Sequence, residues 1–255
     1  MGITFDSPPL AEVSLGSTFL PRPDFLVPHF GAFWSRIRDQ FPDVAQAAQI
    51  VAPNELPLAS EDGVWLPRIW YLSSDKVRLL QLQQNRLHFN WRRTTEDAKY
   101  VRFPAIQAET LNLWDQFSAY VLEATGSPLQ PLTNELVYTN MFALKGKTAF
   151  EIADETLRDS VWCREGRFLL APTALAHSYS FNVPDELGEL TVSVNTGNRP
   201  EDGSGMIKID LTIRGAHRDD RPLGPWSQKA HDFVVEAFKD LTTSTMHKKW
   251  GLRDA

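Results

Sequence analysis

The sequence predicts an α+β fold of two similarly ordered lobes, each an antiparallel sheet with a long helix packed on one face. Three observations predict this class: several short segments alternate apolar and polar residues, two long segments carry apolar residues at helical spacing, and the same order of elements occurs twice. Alternation favours antiparallel sheets with one covered face, because the strands of parallel sheets are buried on both sides and are apolar throughout.

The first half of the chain, residues 10–126, predicts the order strand, helix, three-strand meander and long helix. The predicted elements are a strand over 11–19, a helix between Pro28 and Pro42, strands over 65–73, 77–83 and 86–92, and a helix over 106–125. Pro28 suits the first turn of a helix, and Gly126 followed by Pro128 is a typical stop signal.

The second half, residues 132–250, repeats that order without any residue-level repeat. The predicted elements are a strand over 132–144, a short helix over 154–162, strands over 167–182, 190–195 and 206–215, and a helix over 225–241 that extends or restarts toward Trp250. We therefore predict an N-terminal lobe over 1–127 and a C-terminal lobe over 128–255. A single continuous curved sheet with two helices is the alternative, because the linker near 126–131 is short.

Composition and charge narrow the class of protein. The 255 residues are 42% hydrophobic and 23% charged, which is ordinary globular usage, and the net charge of −6 argues against a protein that coats nucleic acid. A single cysteine, Cys163, forms no internal disulfide, and no apolar run reaches the length of a membrane helix. We expect a cytoplasmic protein without a membrane segment.

Motifs that carry chemistry are incomplete in this sequence. Gly146-Lys147-Thr148 is similar to the end of a phosphate-binding loop, but Met141 occupies the place of its first glycine, which favours a hairpin turn. Cys163 with His177 is conceivable as a thiolate–histidine pair, and a buried packing cysteine is the favoured alternative. The sequence predicts no catalytic residue, no metal site and no cofactor; whether the protein is an enzyme stays open, and a binding protein is favoured.

One strand carries the candidate binding residues. In the segment 86–92, His88, Asn90 and Arg92 lie on one side and the apolar residues on the other. The candidate binding residues are Arg86, His88, Asn90, Arg92 and Arg93. Because arginine binds carboxylate and phosphate with two parallel hydrogen bonds, this strand predicts an outward-facing site for an anion, a nucleotide or an acidic partner. The favoured alternative is a solvated sheet face that pairs with Glu96 and Asp97.

Several short motifs resemble a known family. They are Pro-Pro-Leu-Ala-Glu-Val at 8–13, Leu-Gln-Leu-Gln at 80–83, Asn-Trp-Arg at 90–92 and Val-Tyr-Thr-Asn at 137–140. Over residues 8–142 the sequence is similar to a sporadically distributed bacterial family of roughly 260-residue uncharacterised proteins. Such a distribution is typical of mobile accessory genes, so the resemblance implies a defence or toxin–antitoxin-type context.

Two functional hypotheses follow. The first is a non-enzymatic binding or accessory protein that acts as partner, sensor or neutralising component of a bacterial defence module, with a protein partner encoded by a neighbouring gene. The second is a ligand-binding domain or enzyme for an anionic small molecule, a nucleotide or a phosphorylated compound, in an inter-lobe cleft. Nucleic-acid binding through the same basic strand is the least favoured, and the sequence does not give an oligomeric state.

Overall fold

The α+β class is confirmed. The computed structural model describes residues 3–51, 66–95, 98–159, 166, 168–169, 172–198 and 203–253, and these form five helices and eleven strands. The helices are α1 Val27–Ile37, α2 Phe103–Thr125, α3 Ala149–Thr156, α4 Leu223–Leu241 and α5 Ser244–Trp250. Among them, no helix is long and apolar enough to cross a lipid bilayer.

The strands join into one large sheet and one small sheet. They are β1 Thr4–Phe5, β2 Leu10–Phe19, β3 Asp43–Ala47, β4 Arg68–Leu72, β5 Arg78–Gln83, β6 Arg86–Arg92, β7 Pro131–Ala143, β8 Ala176–Val183, β9 Gly188–Asn198, β10 Gly205–Ala216 and β11 Leu252–Arg253. Nine of them form an antiparallel sheet in the order β3-β4-β5-β6-β2-β7-β10-β9-β8, and β1 pairs with β11. One sheet is the alternative that the sequence left open; two similar lobes with separate sheets are not shown.

The chain divides into two compact units. The first unit comprises Glu12–Leu136 and Arg214–Ser227. The second unit comprises Met1–Ala11, Val137–Ile213 and Gln228–Ala255. Both units are therefore assembled from segments that are distant in the sequence, and each is described by itself below.

An aromatic core fixes α1 and α2 in the first unit. The Phe33 and Phe117 rings meet edge-to-face with centroids 5.1 Å apart, and the buried Tyr71 of β4 donates its hydroxyl to the carbonyl oxygen of Phe30. Helix α2 ends at Gly126, whose left-handed backbone (φ 72°) lets its N–H bond to the carbonyl of Leu122. These contacts place both helices on the side of β6 that carries its apolar residues, because edge-to-face aromatic pairs and buried apolar area stabilise such a layer.

Helix α3 in the second unit begins earlier than the sequence predicted. Thr148 accepts a hydrogen bond from the backbone N–H of Glu151, and Glu151 in turn accepts from the N–H of Thr148. This reciprocal cap starts the helix directly after the turn at Gly146, so the start predicted at residue 154 is wrong; residues 160–162 of the predicted helix lie outside the described residues. Cys163 lies outside the described residues.

A separate helix follows α4, which is one of the two outcomes that the sequence predicted. Thr243 caps α5 after α4 has ended at Leu241, and Gly251 closes α5 in a left-handed conformation. Within the second unit, the Trp250 ring stacks on Phe238 with centroids 5.2 Å apart. The stack ties the last two helices together, because the buried rings exclude water from both helix faces.

Candidate functional site

Strand β6 has the predicted alternation but not the predicted exposure. Leu87, Phe89 and Trp91 are buried on the helix side, while Arg86, His88 and Asn90 on the other side are each only 3% exposed. The prediction that this polar side faces outward is therefore wrong. Alternation along one strand reports which side chains share a face, whereas the covering of that face depends on segments elsewhere in the chain.

The register of the first unit places further polar residues beside His88. Trp70 of β4 pairs with Gln81 of β5, Gln81 pairs with His88, and His88 pairs with Gly16 of β2. Directly opposed residues share a face, so these four positions form one row across four strands. We call three side chains of this row, those of Trp70, Gln81 and His88, together with their polar neighbours, the His88 cluster. Its members are Glu12, Arg68, Trp70, Gln81, Arg86, His88, Asn90, Glu135 and Arg214.

A chain of hydrogen bonds crosses one side of the His88 cluster. Arg68 donates from Nη1 to Oε1 of Gln81 over 2.8 Å, and Gln81 donates from Nε2 to Oδ1 of Asn90 over 2.7 Å. Asn90 then donates from Nδ2 to Oε1 of Glu12. The chain runs from a guanidinium to a carboxylate through two amides, so each amide is oriented by a charged group at one end.

A second arm of the cluster joins His88 to Glu135 and Arg214. Nδ1 of His88 lies 3.5 Å from Oε1 of Glu135, and Arg214 donates from Nε to the other oxygen of that carboxylate. Gly16 of β2 is what lets the His88 ring lie in this position. A Cβ on Gly16 would lie 2.1 Å from the carbonyl oxygen of Leu87 and 2.7 Å from Cδ2 of the His88 ring.

Burial sets the ionisation of this arm. Burial, opposed in part by the nearby Glu135 carboxylate, lowers the pKa of His88 to about 4, so the imidazole is neutral at pH 7. Burial by itself would raise the pKa of Glu135, but the charge of His88 when it is protonated, the charge and hydrogen bond of Arg214 and the charge of Arg86 lower that pKa below its ordinary value. The charge and hydrogen bond of Arg214 and the charge of Arg86 act on Glu135 whether or not His88 is protonated.

Three nitrogen atoms of the cluster are buried without a hydrogen-bond partner among the described residues: Nε of Arg68, Nε1 of Trp70 and Nε2 of His88. Burying such a group unpaired costs about 1–3 kcal/mol. Native proteins satisfy most buried polar atoms, and a water or an ion that completes the network is one explanation of an exception.

Among the described residues of the His88 cluster, positive charges outnumber negative ones. The guanidinium groups are those of Arg68, Arg86 and Arg214, and the carboxylates are those of Glu12 and Glu135. Burial and the positive charge of Arg86 lower the pKa of Arg68, and the Glu12 carboxylate opposes this only in part, so the two guanidinium groups repel each other. An anion placed between them would relieve that repulsion.

The sequence-predicted residues are only partly brought together. Arg86, His88 and Asn90 belong to the buried cluster, while Arg92 and Arg93 at the end of β6 are partly exposed. Burial lowers the pKa of Arg93. Glu96 and Asp97, the proposed counter-charges, lie outside the described residues.

Most members of the His88 cluster were not predicted from the sequence. The missed members lie on other strands: Glu12, Arg68, Trp70, Gln81, Glu135 and Arg214. One signal was present, because Gly16 interrupts an otherwise regular strand pattern, and a glycine inside a strand often marks a close approach by another group.

Metal binding is not supported in the part of the chain that the structure describes, where no three histidine, cysteine or acidic side chains converge. No family model matches the sequence, and no curated protein matches it significantly.

Replacing Gly16 should test how tightly β2 and His88 approach each other. We expect Gly16→Ala to lower the free energy of unfolding by about 1–3 kcal/mol, because the new methyl group meets backbone atoms that cannot rotate away. Urea unfolding measures the change. Gly31→Ala is the matched control: no atom lies within 4 Å of its added methyl, so alanine in this helix should stabilise by about 0.5–1 kcal/mol. Equal effects at the two glycines would contradict the geometry.

Stability should fall in mild acid because of His88. An ordinary histidine titrates near pH 6.5, whereas the pKa of His88 in the folded protein is about 4. Between these two pH values, His88 binds a proton in the unfolded chain but not in the folded protein. The free energy of unfolding should therefore fall by an amount on the order of 3 kcal/mol as the pH drops from about 6.5 to about 4.

The comparison for that measurement is His88→Gln, which cannot take up the proton. Its free energy of unfolding should vary less with pH across this window than that of the wild type. Burial also lowers the pKa of His231 to about 4, so some dependence should remain. Because the pKa of Glu135 is lowered, this residue affects the free energy of unfolding mainly at pH values below this range. A pH dependence identical to that of the wild type would show that His88 is not the buried neutral group.

Proposed function

We propose that this protein is a non-enzymatic binding protein whose His88 cluster recognises a small anionic ligand. The observation that carries the proposal is the coincidence of three buried, unpartnered nitrogen atoms with an excess of guanidinium groups on one sheet face. A buried site of this composition favours an occupant that brings both negative charge and hydrogen-bonding atoms.

The hydrogen-bonding pattern narrows the ligand class. Nε of Arg68 and Nε1 of Trp70 are donors and require acceptor oxygens. A carboxylate facing Nδ1 of His88 favours the proton on that nitrogen, which leaves Nε2 as an acceptor for an O–H or N–H. A phosphorylated compound with a free hydroxyl or a base N–H, such as a nucleotide or a sugar phosphate, supplies all of these groups.

All residues of the proposed site lie in the first unit. Every member of the His88 cluster lies in Glu12–Leu136 or Arg214–Ser227. The inter-lobe cleft that the sequence suggested, and the two similar lobes that it presumes, stay predictions. The present proposal does not require them.

We also propose a setting for this binding activity. The resemblance over residues 8–142 supports an accessory or sensor role in a bacterial defence or toxin–antitoxin-type module, with the partner encoded nearby. An anion-binding protein suits such a role when the ligand changes which partner it binds, because a ligand shifts an equilibrium only by its difference in affinity for the two states.

Thermal unfolding with a panel of anions tests the proposed ligand class. We expect inorganic phosphate, nucleoside phosphates or sugar phosphates to raise Tm relative to sodium chloride at equal ionic strength, because a ligand that binds the folded state stabilises it. Trp70→Phe removes one donor and keeps an aromatic ring, and it should weaken binding about tenfold, the value of one hydrogen bond to a charged group.

The matched control is Arg36→Met, which removes an exposed arginine of the same unit that pairs with Glu123 outside the cluster. It should leave the shift in Tm unchanged. The proposal fails if no anion raises Tm, in which case water completes the buried donors. It also fails if Trp70→Phe and Arg68→Met bind as tightly as the wild type.

Co-purification with its neighbours tests the proposed setting. The tagged protein, expressed with the products of adjacent genes, should elute with one of them at a defined mass ratio. Adding the anion found above should change the amount recovered. A protein that elutes alone with and without the anion would contradict an accessory role, and would leave the ligand site to be judged by the thermal data.

A further inference from the structure

We infer that β8 of the second unit pairs with β8 of a second copy of this chain. The strand is the terminal strand of the nine-stranded order, and it pairs with β9 over its full length from Ala176 to Val183. In the described part of the chain no strand pairs with its other edge. That edge therefore presents a row of backbone N–H and C=O groups to an incoming strand.

The composition of β8 lacks the features that normally protect an edge. Its eight residues, Ala-His-Ser-Tyr-Ser-Phe-Asn-Val, include no lysine, arginine, carboxylate, proline or glycine. Natural edge strands are guarded against pairing by such residues. The other terminal strand, β3, is shorter and carries Asp43. The absence of charge on β8 also means that two copies meet without like-charge repulsion.

The apolar side of β8 is half exposed. His177, Tyr179 and Phe181 share one side of the sheet, because they pair with Val194, Val192 and Leu190 of β9. Tyr179 is 42% and Phe181 is 43% exposed, whereas their three partners on β9 are buried. The aromatic side chains of β8 are therefore exposed on the side of the sheet on which the side chains of β9 are buried. A surface with adjacent exposed aromatic rings is typical of an interaction site.

A groove of about 250 Å³ runs along this aromatic side. Tyr179 and Phe181 form one wall with Val192, and Leu157 and Leu241 contribute from the ends of α3 and α4. Asp159 and His177 also line the groove. All of these residues belong to the second unit. The groove is apolar enough to accept an aromatic side chain from a neighbouring strand.

Antiparallel pairing of two β8 strands fills this groove with the chain's own residues. If Tyr179 lies opposite Tyr179 of the second copy, then Phe181 lies opposite His177, and the aromatic residues of both strands fall on the same side. Ser178 then faces Ser180 on the polar side. The arrangement is two-fold symmetric and self-complementary, as closed dimers require.

Sedimentation of the full chain tests the pairing. The wild type should show a concentration-dependent dimer, and Tyr179→Lys should sediment as a monomer because two ammonium groups would oppose each other at the two-fold axis. Mixing Tyr179→Lys with Tyr179→Glu should restore a dimer, since the pair is then oppositely charged. Val44→Lys, at a 48% exposed position on the other terminal strand, is the matched control and should leave the dimer unchanged.

Hydrogen exchange provides a second measurement that does not depend on any variant. Outward-facing amides of β8 in the wild type should exchange more slowly as protein concentration rises. A monomer at all concentrations overturns the inference, and so does a dimer that survives Tyr179→Lys or is lost in Val44→Lys. Protection of β8 by an added extended peptide in a protein that does not self-associate would also overturn it.

Discussion

The missing side chain at Gly16 lets the His88 ring lie over β2 and reach Glu135. Any other residue at this position would place its Cβ against the backbone of β6 and against the ring itself. The contact matters because Glu135 is a buried carboxylate, and such a group is stable as an ion only where positive charges and hydrogen bonds surround it. Gly16 thus permits the arrangement on which the electrostatics of the whole polar face depend.

A neutral imidazole at the centre of this face determines what the cluster can bind. If His88 were protonated, it would neutralise Glu135 and compete with Arg214 for the same carboxylate. With the pKa of His88 near 4, Arg214 is left to pair with Glu135, and Nε2 of His88 stays open for a hydrogen bond. The cluster therefore combines arginine side chains that stay charged with one neutral imidazole nitrogen, which accepts or donates a hydrogen bond according to its tautomer.

The sequence predicts much of the fold, because elements with strong periodicity are local features. The long helix α2 and the strands β2, β6, β7 and β10 are found close to their predicted bounds. Strand β3 was not predicted, since its five residues are largely exposed and do not alternate. The register error at α3 was avoidable, because Thr148 with Glu151 three positions later is a recognised helix start.

The candidate site was harder to predict for a physical reason. Its members come from strands that begin as far apart as Leu10 and Gly205, and no periodicity within one strand reveals which strands become neighbours. Arg86, His88 and Asn90 were identified because they are adjacent in one strand. Their burial, and their partners Glu135 and Arg214, follow from strand order and register.

The two inferences rest on the same rule applied in different environments. A donor or acceptor that is removed from water must find a partner, whether it is a side-chain nitrogen inside the first unit or a backbone group on the edge of β8. Inside, Gln81 holds Arg68 and Glu135 faces His88, so the small ligand that we propose would have to match nitrogen atoms in fixed positions. At the edge, the unpaired backbone groups repeat along an extended strand, and the partner that we infer for them is another strand. Because the residues concerned lie in different compact units, a substitution in one set leaves the other set intact, and each inference can fail without the other.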